Sequence, residues 1–107
     1  MCGIYGIFSK NKSKVILEKK AENALQLIKH RGPDDCRIIT TDNFSAGVNR
    51  LSIEAISNGK QPIQDGNFII GFNGEIFNYK KLIIDFNFEN VDSEINLLLK
   101  IWNKMGE

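Results

Sequence analysis

A chain of 107 residues holds one small domain, and 42% hydrophobic with 25% charged residues is the composition of an ordinary globular protein. A formal net charge of +1, with lysine and arginine scattered along the chain, offers no basic surface for nucleic acid. No apolar run approaches the roughly 20 residues that span a bilayer, and the short apolar stretch 2–8 precedes its lysines, unlike a signal peptide, so the expected location is cytoplasmic.

Residues 3–8 carry Ile, Tyr and Phe on both alternating faces, the pattern of a strand covered on two sides. A polar, lysine-rich turn follows over 9–14. Leu17, Ala21, Ala24, Leu25 and Ile28 then recur at helical spacing, predicting an amphipathic helix over about 15–29 that Gly32 and Pro33 stop. Residues 37–41 are strand-like, Asp42-Asn43 is a turn, and 44–51 alternates with Phe44, Ala46 and Val48 on one face and Ser45, Gly47 and Asn49 on the other; together they predict a hairpin. Ser57-Asn58-Gly59 and Asp65-Gly66 punctuate a loop, followed by a strand over 67–73 and a short helix over 79–86. In 93–104, Ile95, Leu98, Leu99 and Trp102 form a helical stripe that calls for a partner surface, and Gly106 suits the cap beyond it. Strands interleaved with helices predict an α+β domain, a mostly antiparallel sheet carrying helices on one face.

Chemistry is concentrated in few places. The two cysteines, Cys2 and Cys36, and the single His30 lack the spacing of a zinc site, and a cytosolic chain gives a Cys2–Cys36 disulfide little reason to form. Once Met1 is removed, Cys2 has a base within its own residue. An α-amino group titrates at about 7.7–8.0, so part of it is neutral near neutral pH and can take the thiol proton. Gly3 lets a substrate approach the backbone. The run His30-Arg31-Gly32-Pro33-Asp34-Asp35 is a dense polar segment at a helix end, Asn73-Gly74-Glu75 follows a strand, and Asp92 precedes a helix. Taken singly, each has a plain structural use: Cys2 as a strand residue, Asn-Gly as a turn, Arg50 as a solvated strand arginine, Asp92 as an N-cap.

Taken in order they carry more. The opening Met1-Cys2-Gly3-Ile4-Tyr5-Gly6-Ile7-Phe8, the run at 30–35, Arg50-Leu51-Ser52-Ile53, Gln61-Pro62-Ile63, Asn73-Gly74-Glu75-Ile76-Phe77-Asn78-Tyr79 and Asp92-Ser93-Glu94 resemble the class II glutamine amidotransferases, most of all the glutaminase domain of glutamine-hydrolysing asparagine synthetases. The resemblance runs over nearly the whole of residues 1–107.

It implies an N-terminal-nucleophile hydrolase fold, an αββα sandwich of which this chain is the N-terminal portion, with the C-terminal part and the synthetase domain lying outside it. It also implies roles. Cys2 is the nucleophile, with its own amine as base. The Asn73 side chain and the Gly74 N–H form the oxyanion hole. Arg50 holds the glutamine α-carboxylate, Asp92 its α-ammonium, and Glu75 makes a further polar contact. The 30–35 run shapes the loop beside the site, so His30 is structural and not the partner of a Cys-His dyad, and Cys36 is a buried packing thiol. Glutamine is the substrate and a synthetase domain or subunit the recipient of ammonia. The glutaminase half needs no metal or cofactor; ATP and Mg²⁺ belong to the synthetase domain. Two alternatives stand beside this reading: a class II amidotransferase serving a sugar-phosphate or phosphoribosyl acceptor, and a module that binds glutamine or a partner without turnover.

Overall fold

The computed structural model describes residues 2–51 and 59–106, leaving Met1, Ser52, Ile53 and the Ser57-Asn58 part of the expected loop outside the description. It is a mixed α+β fold built on antiparallel strands: β1 (Gly3–Phe8), β2 (Asp35–Thr40) and β3 (Phe44–Arg50) in one sheet, β4 (Ile63–Asp65) and β5 (Phe68–Ile70) in a second. The helices are α1 (Lys14–Leu27), a 3₁₀ turn at Lys29–Arg31, α2 (Tyr79–Asp85) and α3 (Glu94–Met105). This arrangement is compatible with an N-terminal-nucleophile type of domain.

In the first sheet β3 is central, with β1 and β2 antiparallel on either side. The β2–β3 hairpin turns at Asp42-Asn43, as expected, and is closed by Thr41 N–H to Phe44 O at 2.7 Å. The faces of β3 divide as the alternation predicts, but the small polar face is the one covered by α1. Ser45, Gly47 and Asn49 are buried beneath Leu17, Ala21 and Leu25. Small residues are needed there because Leu25 lies so close that a methyl group on Gly47 would collide with it. Asn49, 1% exposed, satisfies its buried amide by donating to Leu25 O near the end of α1. That bond ties the helix end to the strand.

The opposite face is thinner than the sequence suggests. Ile4 is 43% and Phe8 62% exposed, so β1 is covered well on the α1 side only. Gly71, just past β5, reaches this face: a Cβ placed on it would stand 3.2 Å from Val48 Cγ2 and 3.9 Å from Ile4 Cγ2. The second sheet in turn meets α3, with the Phe68 and Trp102 rings edge to face at 5.6 Å. Phe68, Ile70, Leu98, Ile101, Trp102 and Met105 line an apolar groove of about 540 Å³ between them.

Several boundaries differ from expectation for local reasons. Helix α1 ends at Leu27, where the chain tightens into the 3₁₀ turn closed by Arg31 N–H to Ile28 O. The strand expected over 67–73 shrinks to three residues, because the Phe72 N–H leaves the ladder for the Gln61 side chain. Its partner β4 lies in the segment read as loop; three residues around Asp65-Gly66 are too few to show a period. On α3 the deepest residues are Ile95 and Leu97, while Trp102 is 36% exposed. Gly106 does end that helix, at φ 74° with its N–H on Trp102 O.

Both longer helices are capped by serine. Ser13 accepts from Ile16 N–H and Ser93 from Asn96 N–H. Ser13 is exposed and has no other part in the fold, so Ser13→Ala is expected to lower unfolding free energy by about 1 kcal/mol in urea titration, with no change in the m-value.

Candidate active site

Cys2 is half-buried and immediately precedes β1. The β1–β3 register pairs Gly3 with Asn49, so one step outward Cys2 stands level with Arg50 on the central strand, and Arg50 pairs on its other side with Asp35 of β2. The row Cys2, Arg50, Asp35 thus marks one end of the first sheet. The chain start is held there by Arg31, whose Nε donates to Cys2 O at 3.3 Å.

The 30–35 run does shape this end. Gly32 is buried against the backbone of Asn49 and Arg50, and Asp34 N–H donates to Arg50 O at 3.1 Å. His30 is exposed on the 3₁₀ turn. Cys36 corrects an expectation: it is an exposed residue, not a buried packing thiol, because β2 is an edge strand and the end of α1 leaves an open cavity over residue 36, although its pairing with Asn49 puts it on the α1 face. Desolvation first, then the Asp35 carboxylate, push its thiol pKa up, against the opposing pull of Lys29. A protonated thiol is a poor nucleophile.

Asp92 is exposed and accepts from Ser93 Oγ at 2.9 Å; the cap of α3 is Ser93, which frees the Asp92 carboxylate from the capping role the sequence suggested. Asp92 and Ser93 line a cavity of about 210 Å³ with Gly59, Lys60, Ile63 and Ile95. Arg50 borders the same spot, since a Cβ on Gly59 would lie 3.4 Å from Arg50 Nη2 and 3.5 Å from Ser93 Cβ. Gly59 has φ 80°, which suits glycine, and it lies between the guanidinium and the start of α3. Of the cation and the anion expected to grip the two ends of an α-amino acid, Asp92 therefore lines the cavity and Arg50 stands beside the glycine that lines it.

Asn73, Gly74 and Glu75 form an exposed segment between β5 and α2. It is fixed at both ends by side chains. Phe72 N–H donates to Gln61 Oε1 at 2.6 Å, and Ile76 N–H donates to Glu94 Oε1 at 2.7 Å. The Phe72 ring lies under Gly74, where a Cβ would be 3.1 Å from two ring atoms. Tyr79 stands nearby, its phenol pKa raised by desolvation and then by the Asp92 and Glu94 carboxylates. Among the described residues, no hydrogen bond joins Cys2 to Asn73, Gly74 or Glu75, and no cluster of His, Cys, Asp and Glu could hold a metal ion. No described helix is long and apolar enough to cross a membrane. Gln61, Glu94 and Arg31 all stood inside the motifs quoted from the sequence, but only their bonds show what they do.

Residues 1–107 match the family described as the glutamine amidotransferase domain. This chain belongs to that family. It is 32% identical over 99% of its length to asparagine synthetase B [glutamine-hydrolyzing] of Escherichia coli (strain K12), covering 20% of that protein. It is 34% identical over 100% of its length to asparagine synthetase [glutamine-hydrolyzing] 1 of Bacillus subtilis (strain 168), covering 18%. Against the asparagine synthetase [glutamine-hydrolyzing] of Gallus gallus the figures are 35%, 99% and 19%. The chain thus spans about one fifth of the length of these relatives. As a glutamine amidotransferase domain, it resembles their N-terminal glutaminase part.

Proposed function

We propose that the domain hydrolyses the side-chain amide of glutamine and supplies the ammonia to an asparagine-forming synthetase domain or subunit. The observation that carries this reading is that Asp92 lines a cavity with Gly59 while the guanidinium of Arg50, level with Cys2 in the first sheet, stands beside that same glycine. A fork of guanidinium donors suits a planar carboxylate, and a carboxylate suits an ammonium, so glutamine would be gripped by its α-groups with its amide left to reach Cys2.

In the proposed reaction the neutral α-amine of Cys2 takes the thiol proton, and the thiolate attacks the amide carbon. The Asn73 amide and the Gly74 N–H donate to the oxyanion, with Glu75 beside them as a further contact for substrate. The ammonium so formed at the N-terminus returns the proton to the departing nitrogen, leaving a thioester on Cys2 that water hydrolyses to glutamate. On the same proposal the domain is an αββα sandwich, with α1, the two sheets and α3 as its successive layers. ATP and Mg²⁺ would act in the synthetase domain, not in this half-reaction, and the cytoplasm is the setting such a biosynthetic reaction needs. The names of the relatives favour asparagine formation over a sugar-phosphate or phosphoribosyl acceptor.

Glutamate release from glutamine by the purified, Met1-cleaved chain is the direct test. Arg50→Ala is expected to raise KM for glutamine about 10–100-fold while kcat falls far less, because a charge-assisted bidentate contact outside the reacting bond is lost. An unchanged KM would remove Arg50 from substrate binding.

A further inference from the structure

Two groups in the site have no part in the reaction just described, although both touch its least supported segment. We infer that Gln61 and Glu94 are positioning residues, a two-point clamp that sets the place of Asn73 and Gly74; the inference rests on the proposed glutaminase reading. Gln61 Oε1 takes the Phe72 N–H and Glu94 Oε1 takes the Ile76 N–H, so the three residues between, Asn73 to Glu75, are spanned by two side-chain acceptors.

The surroundings make both acceptors firm. Gln61 precedes Pro62, which is fully buried, and β4 starts at once after it. Glu94 opens the first turn of α3, where the helix dipole favours a carboxylate. Neither clamp residue can drift without moving a buried proline or a helix start. Between them the chain has little else to hold it: Asn73, Gly74 and Glu75 are all exposed and lie outside any ladder. The Phe72 ring beneath Gly74 passes the Gln61 contact on to the very peptide whose N–H would face the oxyanion.

The energetic logic is that of preorganisation. Oxyanion donors stabilise the transition state only if they already point at it, and misplacement by about 1 Å can cost about 100-fold in rate. The main grip on glutamine, through Arg50 and Asp92, lies outside that segment, which adds only the Glu75 contact, so the clamp should act chiefly on kcat and change KM little.

The test compares wild type, Glu94→Ala, Glu94→Gln and Gln61→Ala in the full chain. Glutaminase kinetics are measured together with urea unfolding and amide hydrogen exchange at Phe72 and Ile76. Glu94→Ala and Gln61→Ala are expected to lower kcat about 10–100-fold with KM within about threefold, and to speed exchange at the amide each one holds. Glu94→Gln keeps an acceptor oxygen and should restore most of the rate, which a purely electrostatic role for the carboxylate would forbid. Full kcat in both alanine variants overturns the clamp, as does a loss of rate matched by unfolding of the variant. If wild type itself shows no Cys2-dependent turnover, the proposed function fails instead, and exchange at the two amides then decides: equal exchange in wild type and in the alanine variants overturns the clamp as well.

Discussion

Cys2→Ala is expected to cut glutamine hydrolysis by at least about a thousandfold, to the background of the assay, while leaving the fold intact. Removal of a nucleophile costs about as much as removal of the whole group that acts with it, because the thioester route disappears and only water attack remains. The thiol side chain is half-buried at the edge of the sheet and fills none of the core built from Leu17, Ala21, Leu25, Val48, Ile95 and Leu97, so its loss should be silent in unfolding experiments. The same proposal fixes the pH response. If the α-amine is the base, the neutral amine is the active form, and kcat/KM should rise with pH through a value near the ordinary about 7.7–8.0 of an α-amino group. Keeping Met1 in place should be as damaging as Cys2→Ala, since it blocks the base without touching the thiol. Glutamate release by the Cys2→Ala protein at a rate near wild type would sink the mechanism, and Cys36, with its raised pKa, exposed on an edge strand, would be the next thiol to examine.

The α+β class and most elements were legible because strong periods survive in a single sequence. The helix at α1 announces itself through Leu17, Ala21 and Leu25, and the β2–β3 hairpin through its alternation and the Asp42-Asn43 turn. What the period could not show is which face of β3 meets the helix. Hydrophobic residues predict burial, yet the tightest approach needed the absence of side chains at Gly47 and a polar amide at Asn49 that the helix end could use. Short strands were hidden for a different reason. β4 and β5 have three residues each, and β5 is cut short by the Gln61 side chain taking the Phe72 N–H, a bond between residues 11 apart in sequence. Of the site, Cys2, Arg50, Asn73, Gly74, Glu75 and Asp92 were named from a resemblance and a chemical role for each. Position in space separates them: Asp92 lines a cavity with Gly59 and Arg50 stands beside that glycine, whereas Asn73 and Gly74 sit on a segment whose support comes from Gln61 and Glu94. A side chain that acts by holding another residue's backbone leaves no local period or composition to read.

Gly32→Ala is expected to destabilise the domain by about 3 kcal/mol, the upper end of what overpacking a close contact costs. The reason is not backbone conformation. Gly32 has φ −157°, which any residue adopts. It is the neighbour that forbids a side chain: an added Cβ would overlap the Asn49 carbonyl and stand 2.7 Å from the carbonyl carbon of Arg50. These are backbone atoms of β3, paired to β1 on one side and β2 on the other, so they cannot yield as a flexible side chain would. The 30–35 segment must move instead. Moving it breaks Asp34 N–H to Arg50 O and Gly32 N–H to Lys29 O, and it pulls Arg31 from Cys2 O. For a domain of this size each kcal/mol is worth roughly 4–8 °C in Tm, so a fall of about 15 °C should be plain in a thermal melt. Activity should fall too, even well below that Tm, because the chain start loses the guanidinium that anchors it level with Arg50. An alanine variant within about 1 kcal/mol of wild type would mean that the loop has room to retreat, and the close approach between the polar run and the central strand would then have no claim to fix the site.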